Sequence, residues 1–397
     1  MKENPGHPIR VAVMMLTLAS GRMGGTEVYA ENLSENLRQR DDERFEFIVV
    51  RARQPKAARR AHESRHAETE APISTPTSAR YKTVTLNFIT AGITHAQKLR
   101  AWLMSTLFRR RVWREIELAA GGPIDIAFYP FTAVAPRPPK STKSIVVVHD
   151  LQHLDMPHAF TTAQRSYRRI AYERPAIKCA AIVTVSDFTS DSVISHLGVS
   201  QTKIHRVYPG IDSDLFQPGP RTAPVDPVLY YPARGLPHKN HLRLFDAVER
   251  LRVEHPGLTL ILSGSDEHSL HPLPDFVVHV GNITPREIRD LYRGVTAVVF
   301  PSLYEGFGFP PLEALATGTP VVASRAGALP EVLSEHAILV DQMDVASIAN
   351  GIEQALTQSH HAQQTKPSTH SAVAEFTWSK TAENVVQVFW DVAEVDG

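Results

Sequence analysis

Glu305 and Glu313 stand eight positions apart, with Gly306 and Gly308 between them and Pro310 and Pro311 just ahead of the second. The run leading in, Ala297 to Phe300, is short, apolar, β-branched and aromatic, the composition of a buried parallel strand. Pro301 and Ser302 end it. Proline suits the first turn of a helix, where the missing N–H would have had no intrahelical partner. The pattern predicts strand, glycine loop, then a short helix ending at Gly318 with Glu313 in its first turn, and a further strand from Thr319 to Ala323. A loop between a parallel strand and a helix faces the ligand crevice of an open α/β sheet. Its glycines leave backbone N–H groups uncovered, and the helix N-terminus adds partial positive charge, so it attracts an anion. Carboxylates on either side accept hydrogen bonds from hydroxyls. The ligand this implies is anionic in the middle and rich in hydroxyls at both ends, which is the form of a nucleotide-diphosphate sugar. The bland alternative, a structural Gly-Pro loop with solvated glutamates, leaves the coincidence of these features unexplained.

The run EGFGFPPLEA, continued by GTPVVASRAGALPEV, resembles the E-x7-E signature of retaining GT-B glycosyltransferases of family four. The resemblance implies that Glu305 contacts donor-sugar hydroxyls and Glu313 holds the ribose. It also implies that backbone amides across Gly306, Phe307, Gly308 and Phe309 meet the diphosphate. The implied fold is α/β, two Rossmann-like domains with parallel sheets facing an inter-domain cleft.

The elements that must position these groups fit that outline. At 397 residues, two domains are the natural division. A formal net charge of zero argues against a general nucleic-acid binder. The single cysteine, Cys179, lies in apolar KCAAIVTV, and a reducing cytoplasm suits it. No signal peptide is visible, the apolar run Val11–Leu18 is too short for a membrane span, and no other stretch approaches one. The expected localisation is cytoplasmic, peripheral at the inner face of the membrane.

Along the chain, Arg10 to Leu16 reads as a first strand. Gly24 and Gly25 then open an amphipathic helix with Tyr29, Leu33 and Leu37 on one face, a second backbone anion site. It is not G-x-G-x-x-G, and the next strand, FEFIVV (45–50), ends in Arg51 instead of a ribose-binding acid, which sets NAD aside. The resemblance puts this GG-x-E loop near the donor diphosphate and the acceptor. Residues 51–82 read as a long loop, basic in its early part at Arg51, Arg53, Lys56, Arg59, Arg60 and Arg65. It is either a solvated segment or a contact for anionic lipid or a phosphorylated acceptor. Lys98 to Leu118 reads as one helix with Trp102, Trp113 and the basic cluster Arg109 to Arg111. That composition suits a membrane surface as well as a core-packed helix with a solvated basic face, and the resemblance tips the reading of residues 98–118 toward the membrane.

Asp125–Tyr129 and Ser144–Val148 read as strands, the second ending in His149 and Asp150. A His-Asp pair is often structural. Its place at a carboxyl strand end, and its likeness to the family's VxHD, put His149 beside the donor sugar. His149, His153 and Asp155 can also be read as metal ligands; the family needs no metal, so no metal or other cofactor is expected beyond the nucleotide sugar itself. Ala180–Ser186 and Lys203–Tyr208 continue the strands, with a helix over 187–197. Asp212-Ser213-Asp214 imitates a D-x-D metal motif but sits in a Pro/Gly/Asp-rich turn. In the second half, ARGLPHKNHLRLFDAV follows a strand at 228–232 and places Arg234 and Lys239 at the crevice, aimed at the diphosphate. The family's common pattern has its Gly-Arg one residue further from the lysine, and Ala233 stands at that point here. The family likeness carries Gly264 to the nucleotide, and Asn282 and Ile283 to the base through main-chain groups.

The expected domains are 1–208, binding the acceptor; 209–227, a linker; 228–375, binding the nucleotide sugar; and 376–397, a helix crossing back to the first domain. The expected reaction is transfer of a hexose to a hydroxyl of a glycan or lipid-linked acceptor in surface polysaccharide synthesis, with retention implied by the resemblance. HKNH and EGFGFPP resemble the mannosyl- and rhamnosyltransferase branch, which favours GDP-mannose. Competing readings are a nucleotide-sugar epimerase of the same fold and an inactive nucleotide-sugar-binding protein.

Overall fold

The computed structural model describes residues 7–16, 24–40, 42–53, 80–90, 95–221, 224–265, 267–361 and 373–394. Contacts divide the chain into two compact units, one of Met1–Val185, Thr189–Pro209 and Trp378–Gly397, the other of Ser186–Phe188 and Gly210–Thr377.

The first unit is built on a parallel sheet of β1 (Ile9–Met15), β2 (Phe45–Arg53), β3 (Tyr81–Thr90), β4 (Ile126–Tyr129), β5 (Lys143–Val148), β6 (Ala181–Thr184) and β7 (Ile204–Arg206). The strand order is β3-β2-β1-β4-β5-β6-β7, so the direction of winding reverses between β1 and β4. β4 and β6 are buried along their whole length, as strands covered on both faces must be. Ala12, Met14, Ile48, Tyr129, Val146 and Val148 supply one face of the core. On the same sheet, Phe128, Phe45 and Phe47 meet Phe389 of the helix Trp378–Glu394, with ring centroids 5.1, 6.2 and 6.3 Å away.

Two expectations for this unit need correction, the loop over 51–82 and the helix over 98–118. β2 runs on to Arg53, and Arg51 is not a loop cation: its guanidinium makes a bidentate pair with Glu31 at 2.8 and 2.7 Å. Arg80 to Lys82 likewise leave the expected loop, Tyr81 and Lys82 opening β3; the remainder of that loop, 54–79, lies outside the described residues. The helix expected over 98–118 is two helices, His95–Leu107 and Arg109–Ala120, because Phe108 (φ −93°, ψ 25°) leaves helical geometry between them. Trp113 is not interfacial either. It is buried, with its indole N–H donating to the Arg137 carbonyl at 3.0 Å. No helix among the described residues is long and apolar enough to cross a membrane.

The second unit carries β8 (Val228–Pro232), β9 (Thr259–Ser263), β10 (Val277–His279), β11 (Ala297–Phe300), β12 (Val321–Ser324) and β13 (Ile338–Val340). The sheet is parallel in the order β10-β9-β8-β11-β12-β13. Here the winding reverses between β8 and β11. All six carboxyl ends therefore lie on one edge, and the loops after β8 and β11 flank the reversal, the position where such sheets bind ligands.

Candidate active site

The loop after β8 brings Lys239 to the loop after β11, where its Nζ lies 2.5 Å from Glu305 Oε1. Their side chains are 16 % and 14 % exposed, so the pair is largely withdrawn from solvent. The backbone beneath is tied in four places. Tyr231, from β8, donates its hydroxyl to the Lys239 carbonyl at 2.7 Å. Asn240, in left-handed geometry at φ 61°, donates its amide to the carbonyls of Pro301 (3.0 Å) and Gln342 (2.8 Å). Leu303 N–H donates to the His238 carbonyl at 2.8 Å. Arg234, on the same loop but exposed, turns toward the loop after β9, its Nε donating to Ser265 Oγ at 3.0 Å.

The chain beyond Glu305 is shaped by glycines. Gly308 takes φ 106° as the N-cap of the helix Phe309–Ala316, and a Cβ there would stand 2.6 Å from Leu329 Cδ2. Gly327 lies against the Glu305 backbone: Ala328 N–H donates to the Glu305 carbonyl at 2.9 Å, and a Cβ on Gly327 would sit 2.2 Å from that oxygen. The Gly306 carbonyl accepts from Ser186 Oγ at 2.8 Å. Phe307 is buried, its ring 5.1 Å from that of Phe309 and 5.8 Å from that of Phe376. Its side chain therefore packs, and what it can offer a ligand is backbone.

Glu313 lies in the second turn of its helix and not the first, because the helix begins at Phe309 and holds no acid in its first turn. The shift matters chemically. Packed among protein atoms, the Glu313 carboxyl is pushed up by burial from 4.5 to about 7, with Asp212 adding to the rise. Tyr292, from the helix Pro285–Gly294, donates its hydroxyl toward Glu313 Oε2 at 3.4 Å and works the other way. That helix is fixed at its start by a reciprocal capping box between Thr284 and Glu287.

The next loops run side by side. Gly264 follows β9 at φ 126°, donates its N–H to the Gly281 carbonyl at 2.8 Å, and would bring a Cβ to 3.0 Å from the Ala233 carbonyl. Asn282 beside it is exposed and Ile283 half-buried. The second unit thus gathers Arg234, Lys239, Gly264, Asn282, Ile283, Glu305 to Phe309 and Glu313 on one edge of one sheet.

His149 directly follows β5 in the first unit. Its Nε2 is 2.9 Å from the Pro130 carbonyl, which can only accept, so Nε2 carries the hydrogen. Burial lowers the proton affinity of the ring, which leaves a neutral imidazole with Nδ1 as an acceptor. Tyr29 packs edge-on at 4.9 Å and holds the ring's plane. Gly24 (φ 63°) and Gly25 begin the helix Gly25–Gln39 without a side-chain cap, both exposed.

The metal readings find other partners. His153 pairs with Glu173 at 3.1 Å, and Asp155 with His196 at 2.7 Å and Ser192 at 3.0 Å. Asp212 accepts from Leu215 N–H at 3.0 Å, as a turn aspartate does. No group of three or more candidate ligands gathers among the described residues. Sequence reasoning missed Tyr231, Tyr292, Gly327 and Ser186. Only Gly327 left a signal, a glycine just ahead of Leu329 and Pro330, which open the next helix.

Residues 23–215 match the family described as Glycosyltransferase Family 4, and residues 215–371 the family described as Glycosyl transferases group 1. Among curated proteins, the chain is 33 % identical over 229 residues to MMP alpha-(1->4)-mannosyltransferase of Mycolicibacterium hassiacum, an alignment covering 55 % of each chain. It is 29 % identical over 220 residues to O-antigen chain mannosyltransferase RfbU of Salmonella typhimurium, covering 52 % of this chain and 59 % of that one. The chain thus spans just over half the length of these curated relatives. Among solved structures, sucrose-phosphate synthase from Thermosynechococcus elongatus superposes with a TM-score of 0.74 at 18 % identity, covering 97 % of this chain and 99 % of that one. Anabaena Alr3699/HepE in complex with UDP-glucose gives 0.61 at 18 %, covering 97 % and 98 %.

Proposed function

Because this chain belongs to the family-four, group 1 glycosyltransferases and has the two-domain GT-B fold, we propose that it moves a hexose from a nucleotide-diphosphate sugar to a hydroxyl of a glycan or lipid-linked acceptor, with retention at the anomeric carbon. The observation that carries this reading is the Lys239–Glu305 pair at the winding reversal of the second sheet, ahead of a glycine-capped helix start and eight residues before Glu313. Lys239 offers cationic donors to a diphosphate, and Glu305 accepts from sugar hydroxyls beside it. Glu313 accepts from the ribose diol.

In this reading the bond between the anomeric carbon and the diphosphate oxygen breaks, and its electron pair goes to the leaving diphosphate. The acceptor oxygen bonds to the same carbon on the same face, and its proton passes to the departing phosphate oxygen. Lys239, Arg234 and the backbone amides of Gly306 to Phe309 meet the charge that grows on the leaving group, where fixed donors act most strongly. His149 orients the sugar through Nδ1 or its main chain, and Gly24 and Gly25 offer N–H groups to the diphosphate. Mannose is the favoured hexose, supported by the mannosyltransferase relatives, and GDP-mannose the favoured donor. Neither step calls on a metal.

The acceptor belongs to the first domain. A contact with the cytoplasmic face of the membrane is part of the proposal, supported by exposed Leu107, Phe108 and Leu103 beside the exposed run Arg109 to Arg111.

The deciding experiment is calorimetric titration with GDP, UDP, ADP and dTDP on the wild type and Glu313→Ala. One nucleotide should bind at micromolar strength and weaken in the variant. Binding of none would remove the donor site. Donor turnover that needs no acceptor and leaves a nucleotide sugar as product would favour the epimerase.

A further inference from the structure

The crossover between β5 and β6 does more than carry His149. It folds as Gln152–Asp155, then Thr162–Arg168, then a π-helical turn Arg169–Glu173, then Arg174–Lys178. Against it lies a cavity of about 420 Å³, lined by His153, Thr162, Arg165, Ser166, Arg169 and Glu173 among others. Single π turns inside helices recur at functional sites, and the volume suits a small ligand.

The three arginines here differ. Arg168 is committed: it covers the Phe160 ring at 4.4 Å and the Tyr172 ring at 5.5 Å, and stands 3.9 Å from Asp150. Arg165 and Arg169 both line the cavity, and their guanidinium groups have no ion-pair or hydrogen-bond partner among the described residues. Like charges four apart on a helix repel, so the fold itself gains nothing from this pair, whereas an anion between them would. Glu173 opposes an anion, but it is anchored. His153 has a fully buried side chain whose Nε2 donates to Glu173 Oε1 at 3.1 Å. Glu173 is thereby fixed on the wall of the cavity. Thr162 and Ser166 add two hydroxyl groups.

We propose that this cavity is an acceptor subsite that takes a hydroxyl-rich anion: a sugar bearing a phosphate or carboxylate. Arg165 and Arg169 hold the anionic group, the guanidinium geometry matching either oxyanion. Glu173, Thr162 and Ser166 hold sugar hydroxyls. The cavity lies in the same crossover as His149, at the carboxyl side of the first sheet, so a sugar seated here belongs to the half of the reaction the first domain serves. This assignment rests on the glycosyl-transfer reading above.

The test is titration of mannose 6-phosphate, glucuronate, mannose and inorganic phosphate into protein saturated with GDP, which keeps the probes off the donor site. The proteins are wild type and Arg165→Ala/Arg169→Ala. The expected result is binding of mannose 6-phosphate or glucuronate, with mannose and inorganic phosphate at least tenfold weaker. The double variant should lose tenfold or more, with its melting temperature and its GDP binding those of the wild type. Equal binding of inorganic phosphate, undiminished binding by the double variant, or no binding of any probe would overturn the proposal. GDP binding in the same samples reports separately on the donor site.

Discussion

Lys239 Nζ and Glu305 Oε1 meet at 2.5 Å across the line where the winding of the second sheet reverses. Each comes from a different strand, and each is held by backbone ties that the other's loop supplies. Removing either leaves a half-buried charge alone. Lys239→Ala and Glu305→Gln should each lower transfer by roughly 100-fold or more. The double variant should be little worse than the poorer single, because the two form one ion pair and each single change already breaks it. Additive losses, measured as kcat/KM for the donor, would separate their roles.

Glu313 makes the protein sensitive to pH in a definite direction. Its folded value is about 7 against 4.5 in the ordinary range. Between these, the folded chain keeps a proton that the unfolded chain has released, so stability falls as pH rises through that window. The span corresponds to about 3 kcal/mol at most. Denaturant unfolding at pH 5 and pH 8 should show the slope, and Glu313→Gln should flatten it.

In the proposed donor complex, the ribose would reverse the preference of the same carboxyl. Two hydroxyl donors favour the ionised form, so binding GDP-mannose near pH 6.5 should release a proton. The measured heat should then vary with the ionisation enthalpy of the buffer. In Glu313→Gln the heat should be the same in every buffer.

Gly327 should tolerate no side chain. Its φ of 58° already disfavours one, and a Cβ would meet the Glu305 carbonyl at 2.2 Å. Gly327→Ala should lower the melting temperature by roughly 5 °C or more. It should also weaken nucleotide-sugar binding more than nucleoside binding, since Glu305 is displaced and Glu313 is not.

At the junction of the helices His95–Leu107 and Arg109–Ala120, Leu107 is 75 % and Phe108 42 % exposed. Arg109 donates to the Pro138 carbonyl and Arg111 pairs with Glu115, which leaves Arg110 the most available of the three. Leu107→Glu/Arg110→Glu should reduce binding to anionic vesicles about tenfold, given roughly 1 kcal/mol per basic residue near such a surface. Unchanged binding would end the membrane proposal.

How much of this was legible depends on how local each determinant is. The β11 run, the glycine loop and the double proline announce themselves within twenty residues, and the strand and loop appear where that pattern puts them. Glu313 was read one turn early, because two prolines do not say which residue opens the helix. β3 escaped notice although Val84, Leu86 and Phe88 alternate with Thr83, Thr85 and Asn87, since it borders a polar stretch that dominates any window. Tyr231 and Tyr292 could not be found at all. Each acts through a hydroxyl on a partner eight or twenty-one residues away, and nothing in a tyrosine on an apolar strand or a charged helix tells which group it will meet.

The helix Trp378–Glu394 carries a consequence for how the molecule is made. Phe389 fills the sheet of the first unit between Phe45, Phe47 and Phe128, yet it is translated after every residue of the second unit. On the ribosome, the half of the protein begun first is completed last. The second unit has all its strands in hand and can close at once, while the first waits with an apolar sheet face uncovered until the final turns of this helix leave the exit tunnel.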